Sequence, residues 1–233
     1  MRRRRNKTVQ TYQAIFDRAA ERHGGAAALE AKLAEAQPKS PAELATIPDD
    51  RWLAEMTRRI FQAGFNWSVI DNKWDGFEAA FEGFDVGRWA MASDDDLDRL
   101  ARDTRIVRNP QKIRTVRENA VFLADLAKEH GSAGRFFADY LVTDQVGLLD
   151  IMKKRGSRLG GTSAQYFLWL IGKDAFILSR DVTAALIAAG VVDKPPTSAK
   201  ALRAVQDAFN AWMSESGRPL KQISRTLALS IDA

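Results

Sequence analysis

The feature that most limits what this chain can become is its hydrophobic period. Apolar residues recur three and four apart in Val9–Phe16, Trp52–Phe65, Ile113–Leu126, Leu148–Met152, Ala164–Ile171, Val182–Ala189 and Leu202–Met213. Few stretches alternate with the two-residue period of a strand. A segment with one apolar stripe of this kind is stable as a helix laid against other helices. Breaks fall between the segments, at Gly24-Gly25, Pro38 to Pro41, Asn109-Pro110, Gly160-Gly161 and Pro195-Pro196-Thr197-Ser198. The expectation is an all-α protein of about ten short helices. Residues 1–45 read as a helical extension with a basic tip at Arg2–Arg5. Residues 46–192 form the core and hold a helical hairpin at about 148–172. Residues 193–233 read as C-terminal helices packing on that core, at 198–216 and 218–228, broken at Gly217-Arg218-Pro219.

Composition narrows the chemistry. With 45% hydrophobic and 28% charged residues in 233, the chain has ample material for a core and is not a disordered one. It has no cysteine, which excludes a disulfide framework, a thiolate-bound zinc and thiol catalysis. Two isolated histidines, His23 and His130, are too few for a His-rich metal centre. Neither a metal nor a cofactor is expected. The net charge of +5 is compatible with a polyanionic partner without requiring one. No apolar run approaches the roughly 18 residues of a membrane span. No hydrophobic region follows Arg2–Arg5, so the start does not read as a secretion signal, and the expected place is the cytoplasm. That arginine run is either a basic tail adding salt-sensitive affinity for DNA or a contribution to solubility alone. Asp94-Asp95-Asp96 after Ser93 reads as helix capping, because adjacent carboxylates do not converge on one ion.

The most informative stretch is Lys153-Lys154-Arg155-Gly156-Ser157-Arg158-Leu159-Gly160-Gly161-Thr162-Ser163. A helix ends in three cations, a glycine turn follows, and a second helix starts near Thr162. The free N–H groups of that start, with the helix dipole and the nearby cations, suit a phosphate. The same residues also suit an ordinary helix corner with a solvated basic edge. A helix-length further on, Ile177-Leu178-Ser179-Arg180-Asp181-Val182 places Asp181 at the beginning of another helix, where a capping or first-turn carboxylate is common.

Together these two elements resemble the helix-hairpin-helix DNA glycosylase superfamily. That resemblance implies two helical lobes around a cleft, a turn that grips the phosphates beside a target nucleotide, and an Asp facing the sugar of the flipped base. Asp181 matches that Asp. A narrower resemblance, to the DNA-3-methyladenine glycosylase I family, is carried by Gln62-Ala63-Gly64-Phe65-Asn66-Trp67, by Phe77-Glu78-Ala79-Ala80-Phe81 and Phe84-Asp85, and by Ile106-Val107-Arg108-Asn109-Pro110-Gln111-Lys112-Ile113 with Glu118-Asn119-Ala120. The hairpin elements continue it in the same order.

The chain departs from that family in three ways. The family's zinc, held by Cys and His near both ends, has no Cys here. The Glu that reads the methylated base, three residues before the Gln of Gln-Ala-Gly, is replaced by Arg59, with Glu55 one helical turn earlier as a conjectural substitute. The type I enzymes also lack the superfamily Asp that Asp181 matches.

The resemblance implies that Trp67 stacks on an extruded base, with core packing as its alternative role. Gln62 is either a base contact or a polar residue bonded at a helix end. Phe65, Trp74, Tyr166 and Trp169 read as core residues, Trp74 with the pocket wall as its alternative place. Gln165 stands near the Lys that attacks the sugar in bifunctional members and cannot form a Schiff base. Lys153 and Lys173 read as surface cations at helix ends.

The implied function is a monofunctional DNA glycosylase that removes alkylated bases, chiefly 3-methyladenine, from double-stranded DNA, acting as a monomer near the nucleoid. Lys153, Lys154, Arg155 and Arg158, with the amides of Gly160, Gly161, Thr162 and Ser163, would hold the DNA. Two alternatives stand beside it: a glycosylase for a neutral lesion, because Arg59 disfavours a second cation, and a non-catalytic DNA-binding protein.

Overall fold

A computed structural model describes residues 9–231, so the run Arg2–Arg5 lies outside the described residues. The chain divides into two compact units that are interleaved in sequence. The first takes the described residues up to Pro38, then 141–146 and 174–231; the second takes 39–140 and 147–173. Consecutive segments would have divided the chain differently.

In chain order, the first unit opens with α1 (Tyr12–Arg22) and α2 (Ala26–Ala34). The second unit carries α3 (Pro41–Ala45), α4 (Asp49–Gln62), α5 (Trp67–Asp71), α6 (Trp74–Ala80), α7 (Val86–Ala90), α8 (Asp94–Arg102), α9 (Pro110–His130) and α10 (Ala133–Asp139). Next come α11 (Gln145–Arg155), which lies in the second unit from Gly147 onward, and α12 (Gly161–Ile171). The chain returns to the first unit with α13 (Arg180–Ala188), α14 (Ala199–Ser216) and α15 (Leu220–Leu229).

The described residues contain no strand, as the period predicts, but fifteen α-helices and two short 3-10 turns instead of about ten helices. The excess comes from pieces such as α3, α5 and α7, each of five residues, which are too short to show a repeat.

In the second unit α9 is the central element, packed against α4, α7, α8 and α10. It starts where Asn109 caps its first turn through Lys112 N–H and Pro110 occupies the first helical position. Trp52 on α4 stacks on Phe137 at 4.5 Å and meets Phe167 of α12 edge-on at 5.8 Å. Phe61, Phe77, Phe81, Phe84 and Trp89 continue this core as a run of ring contacts. The helix expected to reach Phe65 stops at Gln62. Gly64 takes a φ of +75° there, and the Lys112 ammonium donates to the carbonyls of Phe61 (3.1 Å) and Ala63 (2.7 Å). A buried cation on the last carbonyls opposes the negative end of the helix dipole and fixes the stop.

In the first unit α1, α2, α13, α14 and α15 close around Ile15, Leu29, Leu33, Leu186, Phe209, Trp212 and Ile223. The two ends of the described chain are joined directly. Tyr12 Oη lies 2.9 Å from Thr226 Oγ1, and Trp212 Nε1 donates to Gln10 O at 2.9 Å. Arg218 pairs with Glu30.

Candidate active site

Residues 55, 59 and 62 are spaced by four and three, which puts them on one face of α4. Arg59 and Gln62 are buried, 8% and 2% exposed, and the Glu55 side chain retains 19%. Arg59 Nε lies 2.7 Å from Glu55 Oε1, an ion pair one helical turn apart. The two side chains are each other's partner in this buried position, whereas Gln62 Oε1 has no donor. Gln62 Nε2 is anchored on Asp71 Oδ1 at 3.0 Å. Burial pushes the Glu55 carboxyl above the usual carboxylate range, and Arg59 opposes part of that shift. Burial likewise pulls the Arg59 guanidinium down, against the favourable field of Glu55.

The Arg59 guanidinium stands over the Trp67 ring at 5.2 Å, and Tyr166 of α12 meets that ring edge-on at 5.2 Å. Trp67 remains 41% exposed, so part of its ring is open to a planar partner. Phe65, expected in the core, is 44% exposed, because the stop at Gln62 turns the chain outward and the ring rests instead 5.0 Å from Lys112 Nζ.

Trp74, read as a core residue, is half-buried and stacked on Phe77 (5.4 Å) and Phe84 (5.5 Å). Its Nε1 donates to Glu78, whose carboxylate also accepts both terminal nitrogens of Arg51 at 2.8 and 3.1 Å. Glu55, Trp74, Arg58, Arg51 and Glu78 line a cavity of about 320 Å³. The site therefore has a polar cavity wall ending in Glu55, and beside it an exposed indole covered in part by Arg59.

The hairpin forms from α11, a turn over 156–160, and α12. Asn119 of α9 is fully buried and grips the turn twice: it accepts from Ser157 N–H at 2.8 Å and donates to Ser157 O at 3.1 Å. Gly156 is dictated by space, since a Cβ there would lie 2.6 Å from Leu159 Cδ1 and 2.8 Å from Met152 O. Gly161 takes a φ of +61°, open to glycine at little cost, whereas Arg158 adopts +54° without that freedom.

The four hairpin cations differ in their commitments. Arg155 is clasped by both oxygens of Glu129 at 2.9 and 2.7 Å, Lys154 pairs with Asp150 at 2.6 Å, and Arg158 donates to Gln111 at 2.7 Å. Lys153 is exposed. Gly161 and Thr162, in the first turn of α12, are exposed as well, and amides in a first turn have no intrahelical acceptor.

Asp181 belongs to the first unit, at the second position of α13, where Ser179 caps the helix through Val182 N–H. Lys173, expected on the surface, is 3% exposed, with its ammonium donating to Tyr140 O at 2.7 Å. The terminal carbonyl of α10 draws it inward. Sequence reasoning missed Lys112 and Asn119 as positioning residues. Their signal was a basic and an amide side chain within the apolar stripe of α9.

The family's zinc does not fit this donor set. There is no cysteine, His23 Nε2 is bonded to Leu229 O at 3.0 Å, and His130 packs at 5.1 Å from the Phe136 ring. Among the described residues no group of three His, Asp or Glu side chains could hold a metal. No described helix is long and apolar enough to cross a membrane.

Fold and site together define an all-α protein built around a helix-hairpin-helix, with an aromatic and ionic pocket in the same unit. Comparison with known families then places it. Residues 46–158 match the model of the methyladenine glycosylase family. DNA-3-methyladenine glycosylase 1 of Escherichia coli (strain K12) is 29% identical over 127 residues, a match covering 45% of this chain and 66% of that relative, just under two thirds of its length. The structure of Staphylococcus aureus 3-methyladenine DNA glycosylase I that describes 3-methyladenine recognition is similar at a TM-score of 0.49 and 20% identity, covering 59% of this chain and 79% of that one. A further 3-methyladenine DNA glycosylase I crystal structure gives a TM-score of 0.48 and 23% identity, over 59% and 82%. Residues 46–158 are thus similar to the methyladenine glycosylase family, in a chain that has no cysteine.

Proposed function

We propose that this protein is a monofunctional DNA glycosylase that hydrolyses the N-glycosidic bond of alkylated bases, chiefly 3-methyladenine, in double-stranded DNA and so initiates base excision repair. The observation that carries the reading is the arrangement around Trp67: an exposed indole flanked by Arg59 and Tyr166, with Glu55 behind, inside the segment that matches the family. A base flipped out of the duplex can stack on such a ring and be read by the polar groups beside it.

In this mechanism the hairpin holds the backbone through Lys153, Lys154, Arg155, Arg158 and the amides of Gly160 to Ser163. The C1′–N9 bond breaks with its electron pair going to the base, which, being cationic from N3-methylation, departs neutral and needs no proton. The carboxylate of Asp181 stabilises the positive charge that develops on the sugar. A water oxygen then bonds to C1′, and its proton passes to Asp181. Gln165, with no amine, supports hydrolysis without a Schiff base.

The test is free-base release from methylated duplex DNA by the parent and by Asp181→Asn. The expected result is 3-methyladenine released by the parent and at least a hundredfold less by the variant, the scale of a lost acid–base group. Release that survives the substitution removes Asp181 from the chemistry. A folded parent that binds DNA in a salt-dependent manner and frees no base overturns the enzyme reading.

A further inference from the structure

The cations of the hairpin differ in what holds them. Both terminal nitrogens of Arg155 are taken by the two oxygens of Glu129, so a phosphate would have to displace that carboxylate to use them. Lys154 likewise pairs with Asp150. Arg158 is held by a neutral group instead: its Nη2 donates to Gln111 Oε1 at 2.7 Å. A guanidinium carries its N–H donors in a rigid fork, so one bond to an amide orients the fork and leaves its charge and its other donors for an anion.

The backbone at Arg158 points the same way. Its φ of +54° lies in the left-handed region, where a residue with a Cβ is strained and glycine is not. Such strain persists where surrounding contacts impose it, and it gathers at functional positions. Here the contacts come from α9. Asn119 fixes Ser157, and Gln111, about two turns earlier on the same helix, takes the Arg158 side chain. The residue after Gln111 is Lys112, whose ammonium is pulled down by burial and then by the charge of Arg158. Two cations held this near repel each other, and an anion beside them is attracted by both.

We propose that Gln111 is a positioning residue for DNA binding: by orienting Arg158 it makes that side chain the principal phosphate grip of the hairpin. This deepens the glycosylase reading, on whose DNA contact it rests, by ranking the hairpin cations that the mechanism uses.

The test measures affinity for undamaged duplex DNA over a range of salt, with thermal unfolding of each variant alongside. Arg158→Gly should unfold at the parent's temperature or above it, because the strain is relieved. It should nevertheless bind DNA about tenfold more weakly, the scale of one charge-assisted hydrogen bond. The slope of log K against log salt should be shallower by about 0.9, the share of one phosphate. Gln111→Ala keeps every charge, and should weaken binding about threefold in the parent but not in the Arg158→Gly background. A merely structural glutamine would cost the same in both. Equal loss in the two backgrounds, or no loss in the parent, overturns the positioning role. The pair variant Glu129→Gln/Arg155→Gln leaves the net charge unchanged and should alter the slope less than Arg158→Gly does. An equal or larger change overturns the ranking, as does an Arg158→Gly protein that is less stable than the parent and binds DNA as well. If the parent binds DNA and frees no base, the glycosylase reading falls alone and these affinities still decide. A parent that binds no duplex overturns both.

Discussion

Asn119 carries a larger structural share than its place in the sequence suggests. Its amide closes two hydrogen bonds on Ser157 from a position without solvent exposure, so the hairpin turn is fixed from behind. Asn119→Ala leaves the Ser157 N–H and C=O without those partners. It should cost about 1–3 kcal/mol per group left unsatisfied. Urea denaturation should show that loss, and DNA affinity should fall more than for Lys153→Ala. A variant as stable as the parent removes the clamp from the account. Asp181 is the residue-scale counterpart in the first unit. There the test is base release, and the substitution leaves the Ser179 cap of α13 intact.

At the scale of elements, the end of α4 and the start of α8 show how side chains fix a helix boundary. Lys112 terminates α4 by holding Phe61 O and Ala63 O, so the turn 63–66 and the indole at Trp67 start from a fixed point. Lys112→Met keeps the apolar stem and removes the cap. The expected cost is about 1–3 kcal/mol, and quenching of the exposed indole by acrylamide should rise as the turn loosens. Unchanged quenching would show that the loop is held by something else.

Helix α8 begins with a reciprocal capping box between Ser93 and Asp96, and Asp96 also binds Arg88. The Arg88 guanidinium, then the Ser93 amide and hydroxyl, hold the Asp96 carboxyl well below the usual range. Because the folded value is depressed, this stabilisation is fully present above the ordinary carboxylate pKa, about 3.9, and declines as pH falls below it. Asp96→Asn should therefore be less stable than the parent at pH 7, and the gap should narrow at pH 3. A gap that is constant with pH contradicts the assignment.

For the molecule as a whole, the first unit ties the two ends of the described chain together. Segments about two hundred positions apart share one apolar core, and Trp212 sits within it, 2% exposed, with its indole N–H on Gln10 O. Trp212→Ala should cost about 3–5 kcal/mol, the usual penalty for emptying a buried aromatic site. Limited proteolysis of the variant should then cut first within 9–38 or 199–231. Cleavage confined to the second unit would refute this role for the core. The closure predicts no stability change on adding a chelator, since the donor set does not suit zinc.

What the sequence determined by itself is what depends on neighbours along the chain. The spacing of three and four gives the helices, because a stripe repeats with the turn. Ser93 and Asn109 mark helix starts because capping is local, and Asn-Pro and Gly-Gly mark breaks for the same reason. The neighbourhood of Trp67 and the hairpin was legible from residue types in order.

Tertiary structure alone decided the partners. Arg59 reads in sequence as a pocket residue one turn after Glu55, and only the packing of α4 against α5 and α12 sets its guanidinium over Trp67. Phe65 looked like core and turned outward because Lys112, far along the chain, ends the preceding helix early. Lys173 looked exposed and is drawn inward by a carbonyl of another helix. A hydrogen bond or ion pair between distant residues leaves no period in either segment. The contacts that shape the site are therefore fixed by how the helices pack and not by the pattern that makes them helices.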